Sequence, residues 1–121
     1  MKILLKRAYS PAAKADGFRI LADRLWPRGV SKDAAHLDLW LKEIAPTTEL
    51  RKWFNHEPAK WPEFRKRYFR ELDGNAEAVQ TLRGHAKKGT VTLVYSAHDT
   101  EHNQAVALKE YLESRAPRRA S

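Results

Sequence analysis

Apolar residues are spaced along the chain in two ways, and these predict two kinds of secondary structure. Three short runs rich in apolar and β-branched residues predict β-strands over residues 2–8, 18–23 and 90–96. Elsewhere, apolar residues recur every three to four positions, which is the spacing of an amphipathic helix. On this basis we predict helices over residues 31–44, 47–54, 61–72, 75–89 and 100–115.

Two of the predicted helices have well-defined apolar faces. The helix over residues 31–44 opens on Ser31, a favoured N-cap residue. Its apolar face would consist of Leu37, Trp40, Leu41 and Ile44. The helix over residues 61–72 carries an apolar stripe made of Trp61, Phe64, Tyr68 and Leu72.

The order of the elements (strand, strand, helices, strand, helix) predicts an α/β domain. Ample helix separates the second strand from the third, so we expect these two to be parallel. Only residues 9–17 join the first two strands, and if those strands are neighbours we expect them to be antiparallel. The predicted sheet is small, three-stranded or slightly larger, and partly parallel or mixed. About five helices would flank it in a two-layer or Rossmann-like three-layer arrangement.

We expect residues 1–115 to form this single domain and residues 116–121 to form a flexible basic tail. The run of apolar residues near the N-terminus ends at Lys6, too soon for a secretory or membrane-spanning segment. We therefore expect a cytoplasmic protein without a membrane partner.

The charge balance favours anionic partners. The chain has 23 lysines and arginines against 15 acidic residues, which gives a formal net charge of +8. Such an excess suits phosphorylated metabolites, nucleotides or nucleic acid, and it does not choose among them. The sequence has no cysteine, which excludes thiol catalysis, disulfides and thiolate zinc sites.

Polar residues follow the second and third predicted strands at the points where these strands would leave the sheet. The second strand is followed by Asp23, Arg24, Trp26 and Arg28, and the third by the polar stretch over residues 95–104. If the two strands are parallel, both clusters lie at one edge of the sheet, where open α/β sheets bind their ligands. We therefore predict a crevice there that binds an anionic small molecule.

The residue types in this crevice suit an anion. Arg24 and Arg28 offer planar guanidinium groups for a phosphate or carboxylate. The first turn of the last predicted helix, up to Asn103, would add backbone N–H groups and the positive end of a helix dipole. Its lining would include Trp26, Tyr95 and His56, although a loop histidine such as His56 is also commonly bonded to backbone.

Proton transfer is the second chemistry that this crevice would support. His102 would give or take a proton, oriented by Asp99, Glu101 or Asp23. We take His102, Asp99 and Asp23 as candidate catalytic residues, and whether a reaction occurs stays open.

Each polar residue of the crevice also has a purely structural explanation. Asp23 would only pair with a neighbouring arginine, Asp99 or Thr100 would only cap the last helix, and Trp26 would only close the core. The sequence leaves both explanations open.

Residues 98–102, HDTEH, match the H-x-x-E-H spacing of one class of zinc proteases. The motif straddles the predicted start of the last helix, so His98 need not share a helix face with His102. A third ligand is not evident beyond guesses such as Glu110. We therefore predict neither a metal nor another cofactor.

The competing function is a non-catalytic module that contacts nucleic acid or a protein partner through its basic surface. The segment over residues 63–72 interleaves basic residues with aromatic ones, which is one feature of nucleic-acid-binding segments. Phe64 and Tyr68 already belong to the apolar stripe, so they are poor candidates for stacking on bases. Any nucleic-acid binding is expected to be nonspecific, and the sequence does not indicate an oligomeric state.

Three long stretches resemble the YeaO-like family, a bacterial group classed as a domain of unknown function. They are DGFRILADRLWPRGVSK, LWLKEIAPTTELRKWFNHEPAKW and LVYSAHDTEHNQAVALKEYL. The resemblance implies a compact α/β protein without a settled reaction. The family motifs map onto Asp23, Arg24, Trp26, Pro27, Arg28, Gly29, Trp53, Phe54, His56, Tyr95, Asp99, His102 and Asn103. At position 98 the family more often has lysine or arginine, which implies that His98 faces an anion and weakens its role as a metal ligand.

Overall fold

The computed structural model of the protein describes residues 2–114, which form a four-stranded sheet and five α-helices. The strands are β1 (Ile3–Arg7), β2 (Phe18–Leu21), β3 (Leu39–Trp40) and β4 (Val91–Tyr95). The helices are α1 (Lys32–Ala35), α2 (Thr48–Phe54), α3 (Trp61–Asp73), α4 (Ala76–Lys88) and α5 (Gln104–Ser114). The tail predicted over residues 116–121 lies outside the described residues. In residues 2–114, no helix combines the length and the apolar character needed to cross a membrane.

All four strands are parallel and are arranged in the order β1-β4-β2-β3. The expected parallel pairing of the second and third predicted strands is confirmed, since β2 pairs with β4 and Leu21 lies opposite Val94. The sheet differs from the prediction in having a fourth strand and no antiparallel pair. The first two strands are not neighbours, because β4 lies between them. Residues 8–17 lead the chain back along the sheet, from the end of β1 to the start of β2. An extended chain covers about 3.3 Å per residue, so this connection can span more than the length of a five-residue strand.

Residues 31–44 do not form the single helix that their spacing predicts. Ser31 does cap a helix, but α1 ends at Ala35 and His36 adopts the left-handed conformation with φ of 48°. The chain then forms the edge strand β3 beside β2. Arg19 of β2 holds this path, since its guanidinium donates to the carbonyls of Ala35 and His36 and its backbone N–H donates to Asp38. Pairing at the sheet edge therefore outweighs the helical period.

Side chains that alternate along the strands divide the apolar residues between the two faces of the sheet. The main core lies on the face covered by α3, α4 and α5, with Ile20 and Leu93 from the sheet and Phe64 and Leu108 from the helices. The opposite face has a smaller cluster made of Ala8, Leu21 and Val94, with Trp26, Leu37 and Trp40 packed against it. The helices are thus concentrated on one face, which is closer to the two-layer alternative.

A cluster of charged side chains around the buried Asp16 lies on the face of the sheet that carries the smaller apolar cluster. The carboxylate of Asp16 accepts hydrogen bonds from Arg19 Nη1 at 2.6 Å and from Lys6 Nζ at 2.9 Å. Burial by itself would raise the pKa of Asp16, but the hydrogen bonds from Lys6, Ala13 and Arg19 outweigh it and leave the pKa below its ordinary value. This cluster fixes the turn that leads from β1 into β2.

Candidate functional site

A cleft of about 560 Å³ lies beyond the carboxyl ends of β2 and β4. Most of its lining comes from the loop after β1, the loop after β2, the stretch from residue 45 to residue 56, and the loop from β4 into α5, and Phe64 of α3 and Gln104 of α5 complete it. Among the residues predicted for the site, those that line this cleft are Asp23, Arg24, Trp26, Arg28, His56, His98, Asp99, His102 and Asn103.

The carboxylate of Asp23 joins the end of β2 to the end of β4 and the start of α5. Its Oδ2 accepts the backbone N–H of Ser96 at 2.9 Å and the Ser96 hydroxyl at 2.6 Å, and its Oδ1 accepts the Gln104 amide. Asp23 is only 7% exposed. Burial raises the pKa of Asp23, and the hydrogen bonds from Ser96 and Gln104 offset only part of that rise.

Within residues 2–114 Asp23 forms no ion pair with an arginine, so the expectation that it pairs with a neighbouring arginine is wrong. The Arg24 guanidinium donates to the carbonyls of Ala45 and Pro46, with distances of 3.1 Å from Nη2 and 3.3 Å from Nε. These carbonyls end a short turn that is itself held by the buried hydroxyl of Tyr68, which donates to Ile44 O at 2.7 Å. The carbonyls at the end of this turn need hydrogen-bond donors, and the Arg24 side chain supplies them. Arg24 therefore connects the turn to the end of β2.

Two other arginines that line the cleft have guanidinium groups without an interaction partner in the described part of the chain. Arg28 and Arg51 are exposed, and within residues 2–114 neither side chain makes a hydrogen bond or an ion pair. Arg28 follows β2, and Arg51 projects from α2. Arg51 was not among the predicted site residues, because a solvent-exposed arginine on a helix carries no distinguishing signal in the sequence.

His102 and Asp99 form a bonded pair at the cleft. The Asp99 Oδ2 lies 2.9 Å from His102 Nδ1, while its Oδ1 accepts the backbone N–H groups of Glu101 and His102. The bond from the Glu101 N–H and the bond to the His102 ring hold the pKa of Asp99 below its ordinary value. The His102 ring also packs edge-on against Trp61, with ring centroids 5.4 Å apart. With Nδ1 engaged, Nε2 is the nitrogen left for a ligand.

The last helix starts at Gln104 rather than at residue 100, and Asn103 is the residue that caps it. The Asn103 Oδ1 accepts the Val106 N–H, and its Nδ2 donates to the Asp99 carbonyl. Two of the N–H groups expected to face an anion, those of Glu101 and His102, are instead bonded to Asp99. The anion-binding role of Asn103 stays a prediction, and its amide has these structural partners.

Tyr95 is not among the residues that line the cleft. It lies in the main core and is 4% exposed. Burial raises the pKa of the Tyr95 phenol. Tyr95 does not line the cleft because strand alternation points it toward the helices of the main core.

The HDTEH motif forms a loop that precedes α5, so its two histidines do not share a helix face. His98 is exposed, and its Nδ1 lies 3.5 Å from Arg7 Nη2. In the described part of the chain, no group of three or more histidine and carboxylate side chains has the geometry to hold a metal ion.

His56 sits at the cleft on a strained stretch of backbone. Asn55 and His56 both adopt positive φ angles, 48° and 55°, just after α2 ends. Two successive non-glycine residues in this region are unusual, and such strain is often found at functional sites. The His56 side chain is exposed there.

Comparisons with known proteins place the chain in a family. Residues 2–121 match the family model described as the inactive DUF488-N3 subclade. The uncharacterized protein YeaO of Escherichia coli (strain K12) is 47% identical, over 94% of this chain and 99% of that protein. The uncharacterized protein Rv3073c of Mycobacterium tuberculosis is 35% identical, over 94% of this chain and 96% of its own. No solved structure matches the chain. The chain therefore belongs to the inactive DUF488-N3 subclade, and its predicted kinship with YeaO is confirmed.

Proposed function

We propose that this member of the inactive DUF488-N3 subclade binds an anionic small molecule in the cleft at the carboxyl ends of β2 and β4. The observation that carries the proposal is the pair formed by Arg28 and Arg51. Both line one cleft, and neither has a carboxylate partner within residues 2–114. Guanidinium groups without internal partners are suited to a phosphate or carboxylate brought by a ligand.

The charges around the cleft support an anion rather than a cation. Three arginines line the cleft, whereas the carboxylates that line it belong to two residues, Asp23 and Asp99. Asp23 already accepts hydrogen bonds from Ser96 and Gln104, and Asp99 is engaged by its own loop and by His102. The Arg24 guanidinium donates two of its five N–H groups to carbonyls, so its remaining N–H groups can bind a ligand.

The proposal is one of binding rather than turnover. The description of the subclade as inactive supports this choice, since it fits a protein that keeps a cleft without a reaction. The catalytic roles of His102, Asp99 and Asp23 stay predictions. In this proposal the His102 Nε2 serves as a hydrogen-bond partner of the anion, with Asp99 holding the ring in place.

Isothermal titration calorimetry with inorganic phosphate, ribose 5-phosphate and a dicarboxylate tests the proposal. A hydrogen bond to a charged group contributes about 1.5–3 kcal/mol, so Arg51→Ala and Arg28→Ala should each weaken binding by about 10- to 150-fold. Arg70→Ala is the matched control, because Arg70 is an exposed arginine of α3 outside the cleft. Failure of all three probes to bind, or an equal loss in Arg70→Ala, would overturn the proposal.

A basic surface on α3 is the basis of the competing function, contact with nucleic acid or a protein partner. Two of its cations are occupied, since Arg65 pairs with Glu110 and Arg67 pairs with Glu63 at 3.0 Å. The observations therefore support binding at the surface of α3 less strongly than binding in the cleft. The salt dependence distinguishes them: binding through several backbone phosphates should weaken on the order of a thousandfold between about 50 and 200 mM salt. A ligand held by two arginines should lose far less.

A further inference from the structure

Two exposed apolar side chains stand beside the proposed anion site. Within residues 2–114, the large hydrophobic residues that stay exposed are Tyr9 at 48% and Leu25 at 63%, and both line the cleft. Single exposed apolar residues scattered over a surface need no explanation, but Tyr9 and Leu25 line the same cleft, where a bound ligand would cover them. A ligand bound in this cleft would therefore meet apolar surface as well as charged groups.

The ring of Tyr9 is held in position by contacts on its edge and on one face. Its hydroxyl donates to the Arg28 carbonyl at 3.0 Å, and the Arg7 guanidinium lies over the ring, 4.9 Å from its centroid. Arg7 is itself fixed, because it donates to the carbonyls of Ala97 at 2.9 Å and Ser96 at 3.2 Å. In the described part of the chain, Tyr9 makes no other ring or cation contact. An oriented aromatic ring of this kind is a preorganised stacking platform.

The platform and the anion site are linked through one residue. Arg28 accepts the Tyr9 hydroxyl with its carbonyl oxygen, and its guanidinium is uncommitted within residues 2–114. A ligand that stacks on Tyr9 thus brings its charged end within the reach of an arginine side chain. The cleft, at about 560 Å³, lies in the range of sites that hold whole metabolites and is larger than an isolated phosphate needs.

We propose that the ligand is a nucleoside phosphate, whose base stacks on Tyr9 and whose phosphate is bound by Arg28 and Arg51. This inference rests on the proposed function, since it names the class of anion that the same cleft takes. Aromatic stacking tolerates any base, so the geometry selects a nucleotide and leaves the base undefined.

Calorimetric titration with adenosine 5′-monophosphate and ribose 5-phosphate tests the inference, because the two probes differ in the base. Stacking of one base should make the nucleotide bind about 5- to 150-fold more tightly than the sugar phosphate. In Tyr9→Ala the ratio of the two affinities should fall to about one, and binding of ribose 5-phosphate that is still measurable shows that the cleft is folded. Tyr9→Phe keeps the ring and should retain most of the advantage.

The outcomes separate the two proposals. Equal binding of both probes to the wild type would overturn the nucleotide inference and leave the anion site standing. A nucleotide advantage that persists in Tyr9→Ala would overturn the role of Tyr9. If neither probe binds, the nucleotide inference fails, and the titrations with inorganic phosphate and the dicarboxylate decide whether the anion site fails with it.

Discussion

Removing the carboxylate of Asp23 should weaken the fold at the point where three elements meet. The change Asp23→Ala leaves the Ser96 N–H, the Ser96 hydroxyl and the Gln104 amide without their acceptor. A buried donor left unsatisfied costs about 1–3 kcal/mol. Ser96 and Gln104 are half-buried, so water compensates part of the loss, and we expect a total of about 2–3 kcal/mol. For a domain of this size that corresponds to a fall in Tm of roughly 10 °C.

Urea unfolding of Asp23→Ala, Ser96→Ala and the double variant measures this contribution. Because the two side chains are bonded to each other, their effects should not add, and we expect a coupling free energy of about 0.5–3 kcal/mol. A loss below about 0.5 kcal/mol in Asp23→Ala, or strictly additive effects, would refute the assignment of Asp23 as the link between β2, β4 and α5.

The pH dependence of Asp23→Asn tests the electrostatic part of the same account. Burial raises the pKa of Asp23 above its ordinary value of 3.8, so the folded state holds this proton more tightly than the unfolded chain does. The stabilising contribution is therefore present below pH 3.8 and is lost as pH rises through the folded pKa. Relative to Asp23→Asn, the wild type should lose free energy of unfolding as pH rises above 3.8. A constant difference, or a gain, would contradict the raised pKa.

Denaturant unfolding checks two further predictions on the turn between β1 and β2. Gly17→Ala should destabilise the protein by at least about 2 kcal/mol, because φ is 66° and the new Cβ would lie 2.3 Å from the Thr90 carbonyl oxygen. Gly84→Ala, in α4 with open space around it, should instead be neutral or stabilise by up to about 1 kcal/mol, and equal losses at both glycines would contradict the clash. Asp16→Asn should cost about 3–5 kcal/mol at neutral pH, because it leaves Arg19 buried without its carboxylate. Since the pKa of Asp16 is lowered, that contribution should disappear as pH falls below 3.8, and an unchanged cost in acid would disprove it.

The position of the cleft was predictable because it follows from one pairing. Once the second and third predicted strands are taken as parallel, the polar residues after each must emerge at the same edge. The structure has that pairing between β2 and β4, and both clusters line one cleft. Helix α3 was equally predictable, since its apolar stripe is long and regular.

The partners of individual side chains were not predictable from the chain. The neighbouring arginine suggested an ion pair for Asp23, yet Arg24 binds carbonyls brought from a distant turn. Arg51 and Tyr9 reach the cleft from elements that carry no chemical motif. Residues 31–44 have the helical spacing of apolar positions, but the helix ends at Ala35, where Arg19 binds the carbonyl, and Leu39–Trp40 pair with the open edge of β2. These outcomes depend on tertiary contacts, which local periodicity does not contain.

The most direct test of the anion-binding cleft is a map of amide chemical shifts in the ¹⁵N-labelled protein during titration with ribose 5-phosphate. The account predicts that the largest shifts occur in residues 24–28 and 96–104, with smaller ones near Arg51, and that Arg51→Ala reduces them. Shifts centred on the basic surface of α3, or no shifts at millimolar ribose 5-phosphate, would contradict the account.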